Sequence, residues 1–270
     1  MRRAMLIGRI FPPPSHVMNA RVGRSIYAAA IVAFGAISLG WGEVLLGLEP
    51  IPATFPGRLA IAYLSGVILV LTGAAMLFGR SVRLAAIVLA SVFTLWLLVL
   101  HAPGLATHPT SGSRWTVASE LWALAGITWV LAAQYSRDEH SGTQNATLLR
   151  AGMIGRIAAG IALLVFGALH FVYSELVATI VPAWYPQRLF LTYVVGVAFC
   201  AAGLSVLSCV KMQLATTMLG IMFAIMVVTL HIPRALTTGG QNEWTSLVIA
   251  IAMCGGAWVL AGERPREAVP

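Results

Sequence analysis

Charge is what this sequence has least of. Only 10% of its 270 residues are Asp, Glu, Lys or Arg, against 59% hydrophobic, and the mean hydropathy is +0.87. A soluble domain of this length could not cover its core with so little polar surface. A nucleic-acid binder is excluded as well, because that reading needs a soluble basic domain and there is none. Cysteine is also scarce. Cys200, Cys209 and Cys254 each sit within or at the end of an apolar stretch, and no CxxC occurs. Thiol–disulfide relay chemistry therefore lacks its minimum equipment, and the three act as small packing residues. No flavin, haem c or iron–sulfur motif is present, so electron transfer would need a cofactor or a partner subunit.

What the chain has is apolar sequence in span-sized lengths. A helix needs about 20 mostly apolar residues to cross a hydrocarbon core, and eight stretches qualify: 25–47, 59–79, 82–102, 115–135, 156–181, 189–209, 212–232 and 244–262. The expected fold is an all-α membrane protein. The first stretch begins only near Ser25, is as long as a full span and lacks a convincing cleavage site, which argues against a signal peptide. The residues before it, with Arg2, Arg3, Arg9 and Pro12-Pro13-Pro14, read as a short disordered arm, or as sequence upstream of a true start at Met18.

The chain is also written twice. Arg24 answers to Arg156, Phe34-Gly35-Ala36 to Phe166-Gly167-Ala168, Glu43 to Glu175, Arg58 to Arg188, and Tyr63 with Gly66 to Tyr193 with Gly196. Further on, His101 answers to His231, Trp115-Thr116 to Trp244-Thr245, and Gly126 to Gly255; the offset drifts only from 132 to 129. Each copy holds four spans. An even number brings the second copy into the bilayer from the same side as the first, so the expected architecture is two parallel-repeat four-helix bundles about an axis along the membrane normal. The expected organisation is an arm at 1–23, a first repeat at 24–135, a polar linker at 136–152, a second repeat at 153–263 and a tail at 264–270. Of the 17 Lys and Arg, 13 flank the spans on the side of the termini, leaving Arg58, Arg114, Arg188 and Arg234 on the other. That bias predicts cytoplasmic termini, in a bacterial inner membrane whose anionic lipids meet the net charge of +8.

Polar groups within or beside the spans are the remaining signal, because an ionisable group in hydrocarbon costs several kcal/mol unless paired or wet. Glu43 and Glu175 come about 28 Å along a helix from Arg24 and Arg156, near the far boundary and on one helix face. His101 and His231 end the third and seventh spans, each two residues before a helix-terminating proline. His170 precedes Glu175 by five residues and has no counterpart, since Ser38 occupies its duplicate position. Glu120 lies about one turn inside the fourth span, and its counterpart in the eighth is Ile249. The titratable groups thus converge on one expected outward-facing layer. Other readings accompany each of them. Arg58 and Arg188 can snorkel to headgroups; Trp41, Trp115, Trp184 and Trp244 suit an aromatic belt; the glutamates can form structural ion pairs; the histidines can bond carbonyls or water. A bis-histidine haem or a His/Glu metal site is a poor fit, because His101 and His231 stand at helix ends where a cofactor would be little enclosed.

The second half resembles a known family. Its Arg156-Ile157-Ala158-Ala159-Gly160, Phe166-Gly167-Ala168-Leu169-His170-Phe171 and Ile180-Val181-Pro182-Ala183-Trp184-Tyr185-Pro186 are similar to the DoxX-like membrane proteins, whose compact four-helix units carry a histidine–aromatic pair followed by an I-V-P-x-W-x-P loop. The resemblance covers roughly 156–235 and reaches the first half only through the duplication. There Ser38-Leu39 and Glu49-Pro50-Ile51-Pro52 depart from the pattern. It implies a membrane subunit of the kind found in thiosulfate-to-quinone oxidoreductases or oxidative-stress complexes. Joined to the polar residues, it yields the expectation of an outward pocket for a small redox-active or lipid-like molecule such as a quinone. His170 and Glu175 would exchange protons and His231 would bond a ligand carbonyl, with Arg188, Trp184, Glu43, His101 and Tyr193 as binding residues. Two other classes stay open: a non-enzymatic binder or transporter of a small molecule or lipid, and a membrane anchor for a soluble oxidoreductase partner.

Overall fold

The computed structural model describes residues 15–136, 143 and 145–263. Every regular element among them is helical. The first half consists of α1 (Ser15–Trp41), α2 (Arg58–Leu77), α3 (Val82–Trp96), a π-helical turn (Leu97–His101), α4 (Ala102–Thr107) and α5 (Gly112–Gln134). The second half consists of α6 (Ala146–Val172), α7 (Ser174–Ile180), α8 (Arg188–Ser208), α9 (Met212–Met226), a π-helical turn (Val227–His231), α10 (Ile232–Thr238) and α11 (Gln241–Ala261). Eight of these helices or continuous helical runs are long and apolar enough to cross a membrane, with Val82–Thr107 and Met212–Thr238 each counting as one. The chain is an all-α polytopic membrane protein.

Several boundaries differ from the sequence reading. The expected arm overlaps α1, which starts at Ser15 directly after the three prolines; residues 1–14 lie outside the described part, as do 137–142 and 144 of the linker and the tail 264–270. The first span stops at Trp41, where Gly42 turns with φ +63°. The fifth stops at Val172, and Tyr173 separates it from the short α7. Glu43 and Glu175 therefore stand beyond the ends of α1 and α6 and not on their faces. Pro103 and Pro233 do not terminate their helices either. Each sits at the start of a fresh helical segment, where a missing N–H costs nothing. The π-helical turn before it absorbs the misfit, as the N–H of Ala102 reaches back to the Leu97 carbonyl and that of Ile232 to Val227. Both turns close on the paired histidines.

Helix packing follows the duplication. The contact of α1 with α2 recurs as α6 with α8, α2 with α3 as α8 with α9, and α3 with α5 as α9 with α11. Between the halves, α5 packs on α6 and α11 on α1, while α5 and α11 meet each other in the middle. These last two are the central helices, with 67% and 78% of their apolar windows buried against 22–50% for the other six.

Glycine sets how closely the helices approach, since dispersion and close backbone contact replace the hydrophobic effect inside a bilayer. At the α5–α6 seam, a Cβ added to Gly155 would lie 2.5 Å from the Gly126 carbonyl oxygen; at the α1–α11 seam, one on Gly23 would lie 2.7 Å from that of Gly255. Those two pairs are each other's duplicates. Within each half, Gly35 faces Gly66 as Gly167 faces Gly196. These glycines thus serve contacts inside one chain. Along the centre, Ala123, Ile127, Leu219 and Met253 border an apolar void of only about 10 Å³, so the axis is filled.

Candidate functional site

At the end of the bundle distal to the termini, the two halves have diverged. In the first, the 42–57 loop folds inward: Val44, Leu45, Leu48 and Glu49 are fully buried. Ser38, one turn before the end of α1, ties this return to α2, its hydroxyl lying 2.9 Å from the carbonyls of both Glu43 and Ala62. The loop is pinned from three other directions. Arg58 makes an ion pair with Glu43 and reaches the Ile51 carbonyl at 3.3 Å. The Gln241 amide of α11 donates to the Glu43 and Val44 carbonyls at 3.4 Å. His101 places Nε2 3.0 Å from the Leu48 carbonyl oxygen, which accepts from an Nε2–H tautomer.

Glu49 is the residue the sequence reading passed over. Its carboxyl is enclosed, with Oε2 3.2 Å from the Ser65 hydroxyl and Oε1 without a hydrogen-bond partner among the described residues. Burial pushes its pKa up to about 7, because the charged form is the one that loses hydration. Nothing in Glu49-Pro50-Ile51-Pro52 signals this: the segment reads as a polar turn, and the enclosure comes from tertiary packing.

In the second half the corresponding end is open. Glu175 in the first turn of α7 and Arg188 at the start of α8 are both exposed. They line one open groove of about 520 Å³ with Ala178, Thr179, Leu189 and Phe190. No ion pair joins them, and neither side chain has a hydrogen-bond or ionic partner among the described residues. Their duplicates Glu43 and Arg58 pair. The same two charges therefore close the first half and flank a cleft in the second.

The other candidate residues are not among those lining this cleft. His170 donates from Nδ1 to the Phe166 carbonyl of its own helix at 2.7 Å and lies against Phe199, ring centroids 5.2 Å apart, with its Cβ close to Gly196. It does not line the groove, and neither does His231, which is half-buried and makes no hydrogen bond among the described residues. Tyr193 stacks on Phe171 at 6.0 Å and donates to the Ser174 hydroxyl at 3.2 Å, bracing the α6–α7 junction against α8. Trp184 stacks on Tyr185 at 4.0 Å and is 65% exposed. Tyr173 reaches across to the first half, donating to the Thr110 carbonyl at 2.9 Å. Of the expected constellation, the fold brings Glu175 and Arg188 to one cleft; Glu43 and His101 belong to the closed loop.

At the opposite end, the duplicated arginines are both partly buried. Arg24 bonds the Tyr135 hydroxyl and stands 5.8 Å from the centroid of its ring. Arg156 donates to the Val206 carbonyl at 3.2 Å and to Cys209 Sγ, and lies 3.6 Å from Glu263. Burial raises the Glu263 pKa to about 7, with Arg156 opposing the shift.

No family model matches the chain, and no curated protein or solved structure matches it. The site is therefore read from its own chemistry.

Proposed function

We propose that the chain is a membrane-embedded binding protein whose second half holds a small amphiphilic molecule in the Glu175–Arg188 groove, while the first half is a closed, structural copy. The observation that carries this reading is the contrast between duplicates: one Glu–Arg couple is joined, the other is kept apart over about 520 Å³ of space. Paired charges hold a loop; unpaired charges beside apolar Leu189 and Phe190 offer a ligand both polar anchors and an apolar wall. A place among the DoxX-like membrane proteins rests on the second-half motifs quoted above.

A quinone-linked oxidoreductase subunit needs a titratable group at the ligand's reacting oxygen. Glu175 is one such group in the groove. His170 is occupied by the Phe166 carbonyl and His231 lies outside the lining, so binding is the part of that scheme the geometry favours. The test is native mass spectrometry of the full chain released from detergent. Wild type should retain a small molecule that the double variant Glu175→Gln/Arg188→Gln loses, while Glu43→Gln/Arg58→Gln keeps it. Identical ligand content in all three would overturn the assignment.

A further inference from the structure

The geometry points to a zwitterionic head group as what this groove selects, an ammonium lying against Glu175 and a phosphate or carboxylate against Arg188; the inference rests on the binding reading above. The two charges line the same cleft yet have no ionic partner among the described residues. A simple anion entering to meet Arg188 is opposed by Glu175, and a simple cation meeting Glu175 is opposed by Arg188. Both penalties are relieved for a molecule that carries both charges, because it completes two ion pairs at once.

The duplicate supplies the internal comparison. In the first half, Arg58 plays the cationic partner to Glu43 directly; in the second, a zwitterion inserted between Glu175 and Arg188 restores the alternation of charge that direct contact gives there. Apolar Ala178, Leu189 and Phe190 share the lining, and Phe190 is 60% exposed. That leaves an apolar wall for a chain attached to the head group. Arg188 begins the membrane-spanning α8, so the charges sit at a span boundary, where head and tail of a lipid part company. The same head-group chemistry occurs free in water, in amino acids and phosphoamines, and the wall favours the lipid source.

Isothermal titration of the full chain in detergent distinguishes these. The probes are short-chain phosphatidylethanolamine, short-chain phosphatidylglycerol as the anion, hexylammonium as the cation and free phosphoethanolamine as the head without a tail. Wild type should bind the phosphatidylethanolamine up to about fivefold more tightly than either singly charged probe, roughly the gain from completing a second ion pair at an exposed site. Glu175→Gln should abolish the disadvantage of the anion, Arg188→Gln that of the cation, and the charge exchange Glu175→Arg/Arg188→Glu should retain the zwitterion preference. Phosphatidylglycerol binding as tightly as phosphatidylethanolamine would overturn the zwitterion claim and leave the groove a binding site. Equal affinity for free phosphoethanolamine would keep the head-group claim and overturn the amphiphile. Binding of none of the probes by helical, monodisperse protein would overturn both.

Discussion

His101 and the Leu48 carbonyl oxygen, 3.0 Å apart, tie the π-helical end of the third span to the loop that seals the first half. The ring of His231, at the duplicate position, has no hydrogen-bond partner among the described residues. The two histidines should therefore respond differently to removal. His101→Ala leaves a buried carbonyl unmet and should cost about 1–3 kcal/mol, seen as a lower melting temperature and faster proteolysis within 42–57. His231→Ala should be close to neutral. An equal loss from both would mean that the Leu48 contact contributes nothing.

The exposed part of the same closure should matter less. Glu43 is 45% exposed in its ion pair with Arg58, and pairs of that kind contribute about 0–1 kcal/mol. Glu43→Gln should shift the thermal midpoint only slightly. Arg58→Ala should cost more, because Arg58 also donates to Ile51, and the difference between the two variants measures that second bond.

Stability should fall as pH rises. Glu49 and Glu263 have folded pKa values of about 7, above the ordinary carboxyl value near 4.5 that they regain on unfolding. A carboxyl raised in the folded state binds more protons there, so its full stabilisation is present below about pH 4.5 and is lost as pH passes through about 7. Between pH 5 and 8 the enclosed Glu49 should account for on the order of 2–3 kcal/mol. Glu49→Gln should flatten about half of the slope the two groups contribute, and Glu263→Gln a similar part. A melting temperature that climbs across this range would show that neither group is held neutral.

Backbone contact at the seams is unforgiving. Gly155→Leu, like its duplicate Gly23→Leu, drives side-chain atoms into a facing glycine carbonyl and should cost about 3 kcal/mol or more, giving aggregated or poorly inserted protein. Gly40→Ala meets nothing within 4 Å and should be neutral or stabilising by about 0.5–1 kcal/mol. Comparing the monodisperse yields of the three variants checks the whole scheme.

The spans and the duplication were legible because both depend on composition and spacing. Eight apolar runs appear as eight helices, and Gly126 and Gly255, matched by the duplication, occupy equivalent places at the two seams. Helix ends were less legible. Pro103 and Pro233 look like terminators, but whether a proline ends a helix or opens the next segment depends on a π-helical turn that no local residue announces. The site was half legible. Glu175 and Arg188 stood out as duplicated charges, whereas the enclosure of Glu49 comes from tertiary packing of the loop, in the copy that has Ser38 where the other has the His170 ring. Sequence marks such a substitution as a difference without saying which copy it opens.

The filled seam between the central helices has a mechanical corollary. A solute crossing along the molecule's axis would have to part the side chains of Ala123, Ile127, Leu219 and Met253, which leave a void of only about 10 Å³ between them. The cleft beside α8 asks for no such rearrangement. An occupant of the kind proposed above could arrive sideways, out of the surrounding lipid leaflet, and leave by the same route without disturbing those seams.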